Sequence, residues 1–280
     1  MPTHRLFALA LASLPISSAL AGEPEKVSFP SNNAEALELT GYLHRPAGKG
    51  PFPAVVALHG CGGLFTRSGQ FQKRDVDWAK QLNDAGIAVL FPDSFNPRGV
   101  PQVCTLKQSE RPVAPKGRAM DANGAADWLA AQPFIDKTRL GLIGWSHGGG
   151  TVLWTVNTGA APKSAEFRTA IAFYPGCRVP LQHATWKPRL PIRILMGSAD
   201  DWTPPDPCRQ LTAKHNFPMT EYAGAYHGFD APDSPVRVRT GLATPPDGSG
   251  RAHVGTDPVA RAAAIKEVLA TFKTAFGLPQ

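Results

Sequence analysis

Ser146, Asp200 and His227 are the residues of this chain whose types and order could carry out nucleophilic acyl transfer. Ser146 stands in Gly144-Trp145-Ser146-His147-Gly148, a G-x-S-x-G pattern. The apolar run 139–143 before it reads as a short buried strand, and a helix is expected over 151–157. Strand, Ser and helix in that order are what a nucleophile elbow requires. The turn is so tight that the Ser must take a strained backbone, and Gly144 and Gly148 remove side chains that would clash. The helix N-terminus beneath it favours developing negative charge. Alone, the same pattern also arises as an ordinary glycine-rich turn, so the partners decide.

A Ser nucleophile needs a base, and the base needs an orienting acid. In a parallel α/β sheet the site lies at the carboxyl ends of strands. After the expected strand 192–196 come Gly197-Ser198-Ala199-Asp200-Asp201, and after strand 219–222 comes Tyr226-His227-Gly228. Ser, Asp, His is the order the elbow fold uses. His215 falls inside an expected helix and His253 in a long loop, which leaves His227 as the base. Asp200 is preferred as the acid, with Asp201 left to cap or solvate the turn 202–205. The oxyanion needs two backbone donors. One is the N–H of His147, and the other is assigned to Cys61 in the turn His59-Gly60-Cys61-Gly62-Gly63. The His59 and His147 side chains read as packing or pocket wall. Segment 92–99 should line the pocket, where Arg98 could hold a substrate carboxylate or pin its own loop. Trp145 is assigned to the substrate pocket wall, and Arg118 and Asp121 to a structural pair.

The elements that must position these residues follow from hydrophobic periodicity. Residues 37–43 alternate as an antiparallel strand. Residues 54–58 form a continuous apolar run, as a strand buried on both faces does, and 87–91, 140–143, 169–173, 192–196 and 219–222 supply the others. Helical spacing marks 71–83 and 119–131, and Asp257-Pro258 opens a last helix running to about Phe276. Strands alternating with helices imply an α/β fold, a mostly parallel sheet with helices on both faces. Residues 23–35 read as polar and turn-rich, and 232–255 as a long structureless loop of the kind that is functional or mobile.

The 280 residues, 42% of them hydrophobic and 18% charged, suit one globular domain over 22–280. Residues 1–21 read as a secretory leader: Arg5, the apolar stretch 6–14 and Ala19-Leu20-Ala21 at the cleavage point. The apolar stretch is too short to span a bilayer, so no stable membrane insertion is expected after cleavage. Four cysteines in an exported chain suggest two disulfides, with Cys61–Cys104 and Cys177–Cys208 favoured among three possible pairings. No metal-ligand spacing is present. The formal charge of +7 is scattered without a basic, aromatic-laced stripe, which gives no support to nucleic-acid binding. Oligomeric state is not legible.

Taken together, His59-Gly60-Cys61-Gly62-Gly63, Pro92-Asp93-Ser94-Phe95, Gly144-Trp145-Ser146-His147-Gly148-Gly149, Gly197-x-x-Asp200 and His227-Gly228-Phe229 resemble the dienelactone hydrolase family of α/β-hydrolases. The resemblance runs from about Ala54 to Phe276 and implies Asp200 as the acid, no cofactor, and a small-molecule ester or lactone as substrate. It departs from the enzyme that names the family in three ways. That enzyme is cytosolic, has Cys where Ser146 stands, and holds the lactone carboxylate with two arginines. One of those matches Arg98, and the other falls at Ala231. What the resemblance implies is therefore a serine carboxylic ester hydrolase. Two rivals are a polyester hydrolase of the cutinase type, which shares Gly-Trp-Ser-x-Gly-Gly-Gly, and a non-catalytic binding protein on the same scaffold.

Overall fold

A central strand pair shows why this sequence makes a sheet. In the computed structural model, which describes residues 23–280, β3 (Phe52–Leu58) is buried at all seven positions, and it lies parallel to β5 (Ile135–Trp145), buried from Leu140 onward. β-branched and apolar residues on both faces leave such strands no stable place except between two layers of helices. The remaining strands of this sheet are β1 (Glu25–Pro30), β2 (Glu38–His44), β4 (Ala88–Asp93), β6 (Phe167–Phe173), β7 (Ile192–Gly197) and β8 (Met219–Tyr222). Their order is β1-β2-β4-β3-β5-β6-β7-β8; β1 and β2 run antiparallel to their neighbours and the rest are parallel. The leader expected over 1–21 lies outside the described residues.

The helices are α1 (Lys73–Asp84), α2 (Pro115–Ala130), α3 (His147–Thr155), α4 (Arg178–Gln182), α5 (Asp206–His215) and α6 (Pro258–Phe276). They cover both faces. A Cβ at Gly141 would meet Phe272 and Phe276 of α6, whereas one at Gly144, three residues along the same strand, would meet Gly148 and Val152 of α3. Successive strand residues face opposite ways, so α6 and α3 lie on opposite sides. α1 shares the α6 side, tied to it by Arg261 and Asp77 at 2.5 Å. Asp257 caps α6 by accepting from Ala260 N at 2.9 Å, with Pro258 at the first helical position.

Four elements differ from the sequence reading. Residues 25–30, read as turn-rich, form the edge strand β1, whose mostly exposed residues give little alternation. α2 begins at Pro115 rather than 119, because a proline fixes the φ that a first helical residue needs. α3 begins at His147 rather than 151, so Gly148, Gly149 and Gly150 are all helical. Their low helix propensity is overridden by close packing: a Cβ at Gly148 would sit 1.9 Å from Leu58 O. Finally, the stretch 232–255 is not structureless. It carries an antiparallel pair, β9 (Arg237–Arg239) and β10 (Ala252–Val254).

Two disulfides are formed, Cys61–Cys104 and Cys177–Cys208. Among the described residues no helix is long and apolar enough to cross a membrane.

Candidate active site

Ser146 follows directly on β5 and caps α3, with φ 54° and ψ −111°. A non-glycine residue at positive φ is strained and persists only where its surroundings enforce it. Here Ser146 N donates to Phe173 O at 2.9 Å, and Gly150 N donates to Ser146 O at 2.8 Å. The strain lifts the Ser146 side chain into a cavity of about 690 Å³, whose wall also includes Cys61, His147, Trp154, Trp202 and Thr203.

β7 and β8 deliver the acid and base. Asp200 and His227 are both buried, with Asp200 Oδ2 2.8 Å from His227 Nδ1. Asp200 Oδ1 accepts from Trp202 N at 2.9 Å and Thr203 N at 2.8 Å, and Thr203 Oγ1 donates to Oδ2 at 3.0 Å. That many donors fix the carboxylate in orientation. The His227 ring lies between Tyr174 and Trp202, centroids 4.4 and 4.7 Å away. The two loops come this close because Gly197 has no side chain; a Cβ there would be 2.2 Å from Ala225 O. Among the described residues Ser146 Oγ has no hydrogen-bond partner; such Ser–His contacts commonly tighten only with substrate bound.

Asp201 has a different task from the one expected. The turn N–H groups go to Asp200, while Asp201 accepts from His253 N at 2.9 Å and contacts His253 Nδ1 at 2.7 Å. It thereby fastens β10 beside the site. β10 touches the base loop through a bridge from Val254 to His227, and the next residue, Gly255, donates its N–H to His227 O at 3.1 Å.

Behind Ser146 the backbone N–H groups of Cys61 and His147 donate to no protein acceptor among the described residues. His147 is the first residue of α3, where N–H groups are left over by helix geometry. Both flanking imidazoles are buried and neutral. His59 Nδ1 contacts Gly60 O at 2.8 Å while its Nε2 accepts from Ser94 N at 3.3 Å. Arg118 NH1 donates to His59 O and to His147 Nδ1, both at 3.0 Å. Burial first, and then the Arg118 charge, hold the pKa of each imidazole well below the usual histidine value. Arg118 is itself fully buried, and burial brings its pKa down to about 10. Among the described residues its Nε and NH2 have no partner.

Of the two roles open to Arg98 the structure shows the loop-pinning one, and three other sequence-assigned roles are corrected here. Arg98 does not offer its guanidinium to the cavity: NH1 and NH2 clasp Asp121 at 2.9 Å each, and NH1 also reaches Ser94 O at 2.7 Å. Asp121 therefore pairs with Arg98 and not with Arg118. Trp145 is not pocket wall. Strand alternation turns it to the α1 side, where it is fully buried against Trp78 and Phe173, centroids 6.0 and 5.8 Å away. Segment 92–99 contributes no cavity residue; Phe95 instead packs behind His59 and His147. Sequence reasoning missed the walls: Lys107, Arg111 and Lys116 before and on α2, Arg178 on α4, and residues 243–246 at the tip of the strap 232–255. These lie on loops or at the first turn of a helix, where no periodicity announces a facing direction. It also missed Asp230, which accepts from Trp78 Nε1 at 2.7 Å and Tyr174 OH at 2.5 Å and so steadies the ring under His227.

The profile of the dienelactone hydrolase family matches residues 39–276. No curated protein shows significant sequence similarity to the chain. Among solved structures, a candidate dienelactone hydrolase from Klebsiella pneumoniae is 18% identical, with TM-score 0.62 over 89% of this chain and 98% of that one. A dienelactone hydrolase-like promiscuous phosphotriesterase from metagenomic libraries is 22% identical, with TM-score 0.60 over 91% of this chain and 100% of that one. Esterase 2 of Thermogutta terrifontis, phosphoramylated by tabun, is 18% identical, with TM-score 0.60 over 92% of this chain and 98% of that one. At these identities the likeness is one of fold, that of the α/β-hydrolases.

Proposed function

The chain belongs to the dienelactone hydrolase family, and on that premise we propose that it is a serine hydrolase of carboxylic esters or lactones working through an acyl-enzyme. The observation that carries this reading is the 2.8 Å contact of Asp200 with His227, after the ends of β7 and β8 in the sheet whose β5 ends at a Ser146 held at φ 54°.

In this mechanism Ser146 Oγ attacks the acyl carbon as His227 Nε2 takes its proton. Asp200, on Nδ1, fixes the tautomer and stabilises the imidazolium. The carbonyl oxygen becomes an oxyanion and accepts from Cys61 N and His147 N, with the α3 dipole and the buried Arg118 cation behind them. Collapse of the tetrahedral species breaks the acyl–oxygen bond, and the alcohol leaves with the proton from His227. Water, deprotonated by His227, then attacks the acyl-enzyme; the acid departs and Ser146 recovers its proton. A lactone follows the same steps with the alcohol still attached to the acyl group. The leader read over 1–21 and the two disulfides support export to an oxidising compartment.

A fluorophosphonate probe tests the nucleophile. It should label the native chain at Ser146, found by peptide mapping, and leave Ser146→Ala unlabelled and inactive on 4-nitrophenyl esters. An unlabelled native chain, or a folded Ser146→Ala that keeps its activity, would refute the mechanism.

A further inference from the structure

A single side chain anchors the turn that faces the developing oxyanion. Gly60-Cys61-Gly62-Gly63 follows β3 and His59, and only Cys61 among the four has a side chain. The peptide that carries the Cys61 N–H is gripped at its other end, where Gly60 O accepts from Gly63 N at 3.2 Å and from His59 Nδ1 at 2.8 Å. The His59 proton sits on Nδ1 because Nε2 accepts from Ser94 N. Bonds to the carbonyl oxygen leave the N–H end free to swing about it. Two attachments oppose that swing. Cys61 O accepts from Val103 N at 2.8 Å, and Cys61 Sγ is bonded to Cys104, 43 residues further along the chain.

Cys104 is itself held firmly. It is fully buried, its N–H donates to Gln102 Oε1 at 2.8 Å, and its carbonyl accepts from Ala243 N at 3.1 Å. Its loop presses directly on the turn: a Cβ at Gly63 would lie 2.3 Å from Pro101 O. Cys61, Val103, Cys104, Trp202 and Leu242 belong to a small hydrophobic cluster separate from the main core. Trp202 also packs on His227, ring centres 4.7 Å apart. One cluster therefore places both the oxyanion turn and the ring of the base. So small a cluster buries little apolar area to hold it together, and a covalent cross-link supplies what burial does not. Placement matters here, because about 1 Å of error in a catalytic group costs on the order of 10²-fold in rate.

We propose that the Cys61–Cys104 disulfide is part of the catalytic machinery, and that Cys104 is a positioning residue which, through the bridge, aims the Cys61 N–H at the oxyanion. Closing the bridge joins two thiols and passes two protons and two electrons to a disulfide oxidant, which leaves as a dithiol. The open chain keeps its triad and is slow, so full activity waits for an oxidising compartment. This role rests on the serine hydrolase reading above.

Kinetics on Cys61→Ala, Cys104→Ala and the double variant test it, since none of them removes the backbone donor. Each should lower kcat on 4-nitrophenyl acetate about 10- to 100-fold, short of the roughly 10²–10³-fold that outright loss of an oxyanion donor costs, with KM within about twofold. The double variant should lose no more than either single one, because all three lack the same bond. The corresponding thionoester, whose sulfur accepts hydrogen bonds poorly, should lose less than the oxygen ester. Phe272→Leu, in the core beneath α6 on the far side of the sheet, should lower the melting temperature and leave kcat unchanged, which separates aim from stability. Folded variants that keep kcat within about threefold, or that lose equally on ester and thionoester, overturn the proposal. If the unbridged chains do not fold, Gln102→Ala decides. It keeps the bridge and removes the acceptor of Cys104 N, and it should lower kcat about threefold with the same ester–thionoester difference; an unchanged kcat overturns the proposal. Fluorophosphonate labelling keeps the two readings apart. A labelled, active native chain whose variants keep kcat defeats the positioning role alone, whereas a native chain that neither labels nor turns over defeats the hydrolase reading and this role with it.

Discussion

Asp200 and Asp201 are adjacent, chemically identical and assigned to different histidines. Asp200→Asn should lower kcat on a simple ester on the order of 10⁴-fold, because the amide presents the wrong partner to the imidazole. Asp201→Asn loosens only the His253 fastening and should cost less than about tenfold. Parallel steady-state kinetics check both, and a larger loss in Asp201→Asn would transfer the acid role. The buried pair of Arg98 and Asp121 makes a stability prediction. Asp121→Asn strands a cation whose side chain is 10% exposed and should destabilise the fold by about 3–5 kcal/mol. Urea denaturation reads this, and a change under 1 kcal/mol would count against it. These two cases show what sequence makes legible at a residue. Ser146 and Asp200 each follow an apolar run that periodicity exposes, so their placement at strand ends is readable, whereas His227 follows the short, largely polar β8 and is found by chain order after the acid. Arg98 has its acceptor 23 residues away on α2, and nothing local to either residue declares the pair.

The elbow is an agreement between β3, β5 and α3, and glycine is what permits it. A Cβ at Gly148 would lie 1.9 Å from Leu58 O, a backbone atom in the middle of the sheet that cannot give way. Gly148→Ala should therefore fail to accumulate as folded protein, or melt far below the native chain. Ala at Gly150, where the nearest atoms are 3.5 Å away on a Pro115 ring, should fold normally. Thermal melts of the two variants settle the matter, and equal melting would show that α3 can shift. At this scale the parallel strands were readable because burial on both faces writes unbroken apolar runs. β1 was not, since an edge strand with mostly exposed residues has no buried face to signal. The start of α3 was hidden for the opposite reason, because tertiary contact overrules the poor helix propensity of three glycines.

Acid should loosen the whole molecule through its buried imidazoles. His44, packed edge-on to Phe71 and Phe91, has its pKa lowered to about 4 by burial. Once unfolded it titrates near 6.5, so between those values the unfolded chain binds the extra proton. Stability is then fully present above about pH 6.5 and falls as pH drops toward 4, by at most ~3 kcal/mol from this residue. Burial of His59 and His147 acts in the same direction. His44→Phe should lose less stability than the native chain between pH 7 and 4.5 in urea titrations; an identical loss would refute the assignment. The sheet and its covering helices were legible as a class because alternation of strand and helix dictates them. The strap 232–255 was not, because a short hairpin rich in proline and glycine carries no period. Ser234 and Thr256 close its ends, with Thr256 N donating to Ser234 O at 2.7 Å and Ser234 N to Thr256 Oγ1 at 2.9 Å. Its tip at 243–246 meets the substrate cavity. The tip is pinned as well, with Ala243 N donating to Cys104 O and Trp202 Nε1 to Thr244 Oγ1, both at 3.1 Å, so the strap is a fixed wall whose side chains set the shape offered to a substrate.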